Sequence, residues 1–337
     1  MAETTQQIPG DDAQPPVPTS TVSPSPFDKP SADFVLRTAD HVDFHIRRAI
    51  LEEASVVFAN MFADADGGPS GAPFVPLTEC SQTIDTLLRM CYPVSDPEFA
   101  SLDELKPVME AARKYQMDDL MPTFTRRLIT LSALFPLQAY ALALQYGMED
   151  TARVAAKHCL SLTHPWPYVA ELERISGGAY FRLLDYQAKC AQTAQATVRS
   201  TVWLKDYRFT WLTCTFRDCP RLDVPEALVP GARDANDIYA GRPWFSAHLN
   251  RTQALLATRP SRSAVDHPDA YEQVVRDAAD CPTCRYNILT DVRRFHAELA
   301  NELEKRVCKV CLCAQYRPGL ESCDDVLHMQ VVLEVKL

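Results

Sequence analysis

The first sustained pattern in the chain is an alternation. Phe34, Leu36 and Thr38 interleave with Val35 and Arg37, and after Asp40-His41 the run resumes with Val42, Phe44 and Ile46. A period of two predicts two short strands joined by a turn. The period then lengthens: Ile50, Leu51, Ala54, Val57, Phe58, Met61 and Phe62 fall at helical spacing, which predicts a helix over 47–62 with Ser55 as an internal cap. Gly67 to Gly71 reads as a loop. Phe74-Val75-Pro76-Leu77 reads as a third strand, confined by its proline to an edge or a strand end.

Beyond this strand the spacing is helical. Ile84, Leu87, Leu88 and Cys91 form one face, stopped at Tyr92-Pro93. Ser101 and Glu104 have capping-box spacing, and Pro107 places the start of the next main helix near 106, burying Val108, Met109, Ala112 and Tyr115. A further helix after Asp118 buries Leu120, Phe124, Leu128 and Leu131. Past 134 the pattern stays helical, with FPLQAYALALQYG and EDTARVAAKHCLSL predicted as an antiparallel pair joined near Gly147. Before all this stand residues 1–30, with seven prolines and almost no large apolar side chains. Such a stretch cannot bury enough surface to offset its ordering entropy, so it is expected to be a disordered tail.

Charge narrows the choice of partners. The net charge of −10 (34 Lys and Arg against 44 Asp and Glu) repels a phosphate backbone on average, and the longest basic runs are pairs such as Arg47-Arg48. Nucleic acid is therefore a disfavoured partner. The N-terminus has no basic and apolar leader, and no apolar run approaches the roughly 18–20 residues that span a bilayer. An intracellular protein of the cytoplasm or nucleus is expected, with its twelve cysteines in a reducing compartment. The glycine-rich and nucleophile-elbow motifs of phosphate-binding and hydrolytic enzymes are missing from the sequence. His41 and His45 have metal-ligand spacing, but they sit on a turn and a strand, so a non-enzymatic protein is expected.

This order of parts resembles the BTB/POZ domain over residues 31–131. Asp33-Phe34-Val35-Leu36 is similar to that family's opening strand, VDFHIRRAIL (42–51) to its strand-to-helix passage, ASVVFANMF (54–62) to its S-x-x-F-x-x-M-F helix, and EAARKYQMDDL (110–120) to its Lys-Tyr-x-Met/Leu helix end. Where the family has His-Lys the chain has Arg47-Arg48, so the basic residue carries over at Arg48 and the histidine does not. The resemblance implies an α+β fold, a small sheet packed on helices, followed by a mainly α-helical region over 132–337. The start of that region is similar to the helical extension of BTB proteins. Its later part (Pro243-Trp244-Phe245, Arg259-Pro260-Ser261 and CPTCR at 281–285) is similar to BTB proteins of mushroom-forming fungi.

From the resemblance comes a function: an adaptor that binds other proteins, forms a homodimer, and serves a cullin-type ubiquitin ligase or a transcriptional complex. It implies a charged pocket at the dimer interface containing Asp33 and Arg48; an ordinary pair closing a small core is the other reading of these two residues. Phe34, Ile46 and Ile50 are expected on the apolar contact with the second copy.

The cysteines form a separate question. Cys281 and Cys284 have C-x-x-C spacing, as do Cys308 and Cys311, but Ile288, Val292, Phe295, Leu299, Leu303 and Val307 predict one unbroken helix between the two motifs. A helix of about 23 residues is roughly 35 Å long, so its two ends cannot share an ion. Cys214 and Cys219, in a turn-rich stretch, are the better partners for Cys281 and Cys284. Four thiolates would complete a structural zinc site. Buried thiols without metal and a redox pair stand beside it as alternatives, and no cofactor is certain.

Overall fold

The computed structural model describes residues 20–67, 74–200, 203, 209, 214, 216, 218–219, 243–266 and 269–310. Residues 1–19 of the expected tail, most of the Gly67–Gly71 loop, Cys311 and Cys313 lie outside the described residues. The chain divides into two units, Met1–Arg127 and Leu128–Leu337.

The first unit is built on a four-stranded sheet of order β1-β3-β2-β4, with β1 Thr21–Val22, β2 Phe34–Arg37, β3 Val42–Ile46 and β4 Val75–Pro76. β2 and β3 are antiparallel, with Phe34 opposite Ile46 and Leu36 opposite Phe44. The turn between them places His41 at φ 62°, and its backbone N–H donates to the Thr38 carbonyl. β4 runs parallel to β2 at the sheet edge, where the missing N–H of Pro76 costs no ladder bond. The expected tail is too long by about a strand. β1 pairs in parallel with β3, and Phe27 is fully buried against Phe44 and Tyr92, with ring centroids 5.8 and 5.2 Å away. One aromatic side chain among the prolines anchors a stretch whose composition alone reads as unstructured.

Two further expectations are corrected. The segment 47–62 is two helices, α1 Arg48–Ala54 and α2 Val56–Gly67, parted at Ser55, whose backbone is extended at φ −156° and ψ 117°. Ser55 Oγ accepts the Phe58 N–H at 3.0 Å, opening α2, and donates to the Tyr115 carbonyl at 2.5 Å. That second bond comes from sixty residues away, so no local pattern could announce it. Next, α4 runs Leu102–Lys114 with Pro107 inside it, rather than starting near 106. Ser101 caps the helix by accepting the Glu104 N–H, and Leu102 and Leu105 are buried ahead of Pro107, so capping and packing together carry the helix through the backbone bond that Pro107 removes. α3 Ser81–Cys91 and α5 Met121–Ser132 bury the residues expected of them, except that Cys91 at the end of α3 is half-buried and Leu120 stands half-buried in a 3-10 turn. Phe58 stacks on Tyr115 at 4.4 Å, and Phe62 lies against Phe34 at 4.7 Å, so the core sits between the sheet and the helices.

The second unit is helical. α6 Pro136–Gln145 and α7 Glu149–Cys159 form the antiparallel pair, turning at Gly147, whose φ of +71° suits glycine. α8 Gly177–Arg199 packs against α9 Pro243–Thr258 and α12 Pro282–Val307, with α10 Arg262–Val265 and α11 Asp269–Asp277 completing the cluster. All six apolar residues that predicted the last helix, Ile288 to Val307, are buried along one side of α12. At its centre Phe295 meets Phe245 at 5.3 Å and Phe209 at 6.1 Å. No helix among the described residues is long and apolar enough to cross a membrane.

Candidate metal centre and association face

Residues remote in sequence converge at the start of α12. Pro282 is preset for the first helical position, so the chain turns into the helix directly after Cys281. Cys281 is the N-cap, and its Sγ accepts the Cys284 N–H at 3.5 Å. Cys284 follows in the first turn, so both sulfurs sit at the positive end of the helix dipole, which favours thiolates. Cys214 and Cys219 approach from the other side. Cys214 Sγ is 3.7 Å from Cys281 Sγ, and Cys219 Sγ is 3.8 Å from Cys284 Sγ. All four sulfurs lie within 4.8 Å of one another and all four residues are buried.

These separations test the fit of an ion. A disulfide brings sulfurs to about 2.05 Å, so these are separate thiols. A tetrahedral zinc site with bonds of about 2.3 Å has ligand sulfurs about 3.8 Å apart, which is the spacing of both cross pairs. Four soft thiolate donors suit zinc rather than calcium or magnesium. The cluster can therefore hold a metal ion as a closed, structural site.

Protonation within the cluster is uneven. Burial works to raise the pKa of Cys281, but hydrogen bonds led by the Cys284 N–H, with the thiols of Cys219 and Cys284 and the Thr283 N–H, overcome it and bring the group down to about 7. Cys284 moves the other way, driven up first by burial and then by its bonds to Cys281 and Cys214. Cys308 caps the far end of the 26-residue α12, so it stands apart from this cluster.

In the first unit, Asp33 and Arg48 do meet. The Asp33 carboxylate accepts the backbone N–H of Arg48 at 2.9 Å and so satisfies the first turn of α1, whose N-cap Arg47 makes no side-chain cap bond of its own. The Arg48 guanidinium lies 4.9 Å from the Phe34 ring centroid and 5.3 Å from that of Phe62, and 3.7 Å from a Glu52 oxygen. Phe34 and Ile50 are half-buried. Ile46 is not. It is 0 % exposed, because its position on the inner face of β3 turns it wholly into its own core. The alternation of Val42, Phe44 and Ile46 marked one common face; nothing in it distinguished core from interface.

Val56 is the residue that sequence reasoning missed. It is 64 % exposed at the start of α2, while Phe58 and Phe62 point inward and Val57 and Met61 are half-buried. The signal was present in the run VVFA, where helical spacing alone cannot turn all four apolar residues to one side.

Residues 27–132 match the model of the BTB/POZ domain. The chain thus carries a BTB/POZ domain followed by a helical region, and domains of this class mediate protein–protein interaction and dimerisation and are generally non-catalytic. No curated protein matches the chain.

Proposed function

We propose that this protein is a non-catalytic adaptor: its BTB/POZ domain pairs with a second copy, and its helical unit, with structural zinc at the four thiols, holds another protein. The carrying observation is α2, which is apolar on nearly every side through its first two turns and leaves Val56 64 % exposed. Covering Val56 with a second copy would remove exposed apolar surface from water, and the exposed Asn60 and Asp64 border that contact with polar groups. Phe34 and Ile50 extend the contact, with the Asp33–Arg48 pair as the charged pocket beside it. On the helical unit, Tyr286 (88 % exposed) and Leu289 supply apolar surface on α12 for the second partner. The two partner classes are a cullin-type ubiquitin ligase scaffold and a transcriptional complex, in the cytoplasm or nucleus, and the fungal resemblance of residues 243–285 belongs to the same reading.

Co-expression of two differently tagged copies tests the pairing. Capture of one tag is expected to recover the other, and Val56→Glu is expected to abolish recovery while leaving the helical circular dichroism unchanged. Recovery by the variant equal to wild type would refute this face. Purified cullin scaffold then separates the two partner classes by direct binding.

One observation favours a second reading, a thiol oxidoreductase: the pKa of Cys281, lowered to about 7. Against it, Cys281 is 1 % exposed, whereas a reactive thiolate needs an approach for its substrate. Alkylation of the native protein decides: rapid modification of Cys281 at neutral pH supports the redox reading, and protection supports the structural one. Nucleic acid remains the disfavoured partner at a net charge of −10, with absence of DNA binding at low salt the expected result.

A further inference from the structure

The four thiols join two pieces of chain that are very different in kind. One is the first turn of a 26-residue helix. The other belongs to the long connection from α8 to α9, residues 200–242, in which no described residue lies in an α-helix or a strand.

The described side chains of this connection grip mainly α12. Trp203 donates from its ring N–H to the Thr197 carbonyl at 3.1 Å and stacks on Phe295 at 5.9 Å. Phe209 is 1 % exposed, edge-on to the same Phe295, with Arg294 at 5.9 Å from its ring centroid. Cys214 and Cys219 then meet Cys281 and Cys284. Phe295 lies eleven residues beyond Cys284, about 16 Å along the helix axis. The anchors therefore run antiparallel to α12, from its middle back to its first turn.

Thiol–thiol contacts between neutral cysteines are weak hydrogen bonds and would hold such a segment poorly. Four bonds to one ion would hold it firmly, and would close a loop of 65 to 67 residues between the paired cysteines, removing much of the freedom of the chain between them.

We infer that one zinc ion, bound by Cys214, Cys219, Cys281 and Cys284, is a clasp that fastens the segment carrying Trp203 and Phe209 along α12. This rests on the zinc reading of the four thiols and gives the ion a local role. It keeps the aromatic surface of Phe295, Phe209 and Trp203 covered, while the helices hold together by their own packing. α12 keeps its apolar stripe against α8 whether or not the metal is present.

The test uses the full chain purified from zinc-supplemented cells, with metal content, tryptophan emission and helical circular dichroism measured before and after chelation and again after zinc is restored. About one equivalent of zinc per chain is expected. Chelation should shift the Trp203 emission to the red and open it to quencher, with Trp203→Phe subtracting the signal of the other three tryptophans, while the helical signal persists; zinc should reverse the change. The double variant Cys214→Ser/Cys219→Ser should resemble the chelated protein. Zinc well below half an equivalent would overturn the metal reading and the clasp together. Stoichiometric zinc whose removal leaves Trp203 covered would overturn the clasp alone. Stoichiometric zinc whose removal collapses the helices would also overturn it, showing the ion to be global rather than local.

Discussion

Ser55 is a single buried hydroxyl that separates α1 from α2, and removing it has a calculable consequence. In Ser55→Ala the Phe58 N–H loses its cap, a loss of about 1 kcal/mol in typical helices. The Tyr115 carbonyl loses the donor that reaches it at 2.5 Å, and a stranded buried acceptor costs about 1–3 kcal/mol. Together these predict a local destabilisation of about 2–4 kcal/mol, or a rise of roughly 30- to 1,000-fold in the opening equilibrium and an equal loss of protection. The effect reaches function, because Ser55 sets where α2 departs and hence where Val56 points. Native-state hydrogen exchange on the full chain is the assay, since it resolves α1 and α2 without requiring both units to unfold as one. Ser55→Thr keeps the hydroxyl, and the extended backbone at this position accommodates a β-branched residue; it should retain protection within about 1 kcal/mol. Protection in Ser55→Ala within threefold of wild type, or equal loss in Ser55→Thr, would refute the reasoning.

Other consequences concern charge. The Asp43 carboxylate takes a two-point bond from Arg37, at 2.6 and 2.7 Å across β2 and β3, and this bond first of all holds its pKa below the usual carboxylate range. A depressed acid contributes its stability above the unfolded pKa and loses it as pH falls through the folded one, so Asp43→Asn should destabilise the sheet by about 1.5–3 kcal/mol at neutral pH and progressively less in acid; thermal melts from pH 7 to 3 would check this. In the helical unit, His296 donates from Nδ1 to the Val265 carbonyl at 2.6 Å, so its Nε2 accepts from His248 Nε2 at 2.8 Å and both rings are neutral. Burial lowers both pKa values, His248 to about 3, although Asp277 opposes the shift at His248 and the Val265 bond and Asp266 oppose it at His296. Below the ordinary histidine pKa the unfolded chain takes up protons that the folded chain refuses, so at pH 5.5 His248 alone should cost about 1.4 kcal/mol of stability, and His248→Phe, if it packs, should flatten that dependence.

Short-range spacing carried a large part of this structure. The alternation at 34–46 became β2 and β3, the six-residue stripe became one face of α12, and the length of that helix keeps Cys284 apart from Cys308 as expected. Turn-rich context was enough to bring Cys214 and Cys219 together with Cys281 and Cys284, because ends of elements are where distant chain can converge without distorting a helix. Local pattern breaks down where a partner lies far along the chain. Ser55 was legible as a cap, but the break it makes depends on Tyr115. Asp33 and Arg48 were legible as a pair, but their contact is carboxylate to backbone, a helix-start role that charge pairing alone does not suggest. Ile46 shows the remaining limit: an apolar period reveals that a face is covered and is silent on what covers it.

The adaptor role depends above all on the BTB/POZ domain covering the outer side of α2 with a second copy of the chain. Sedimentation equilibrium of the full protein across a wide concentration range measures this pairing without an indirect reporter. A mass of twice the 37.8 kDa chain is expected for wild type, and 37.8 kDa for a folded Val56→Glu variant at the same concentrations. A wild-type protein that stays at the single-chain mass at the highest concentration reached would contradict the pairing.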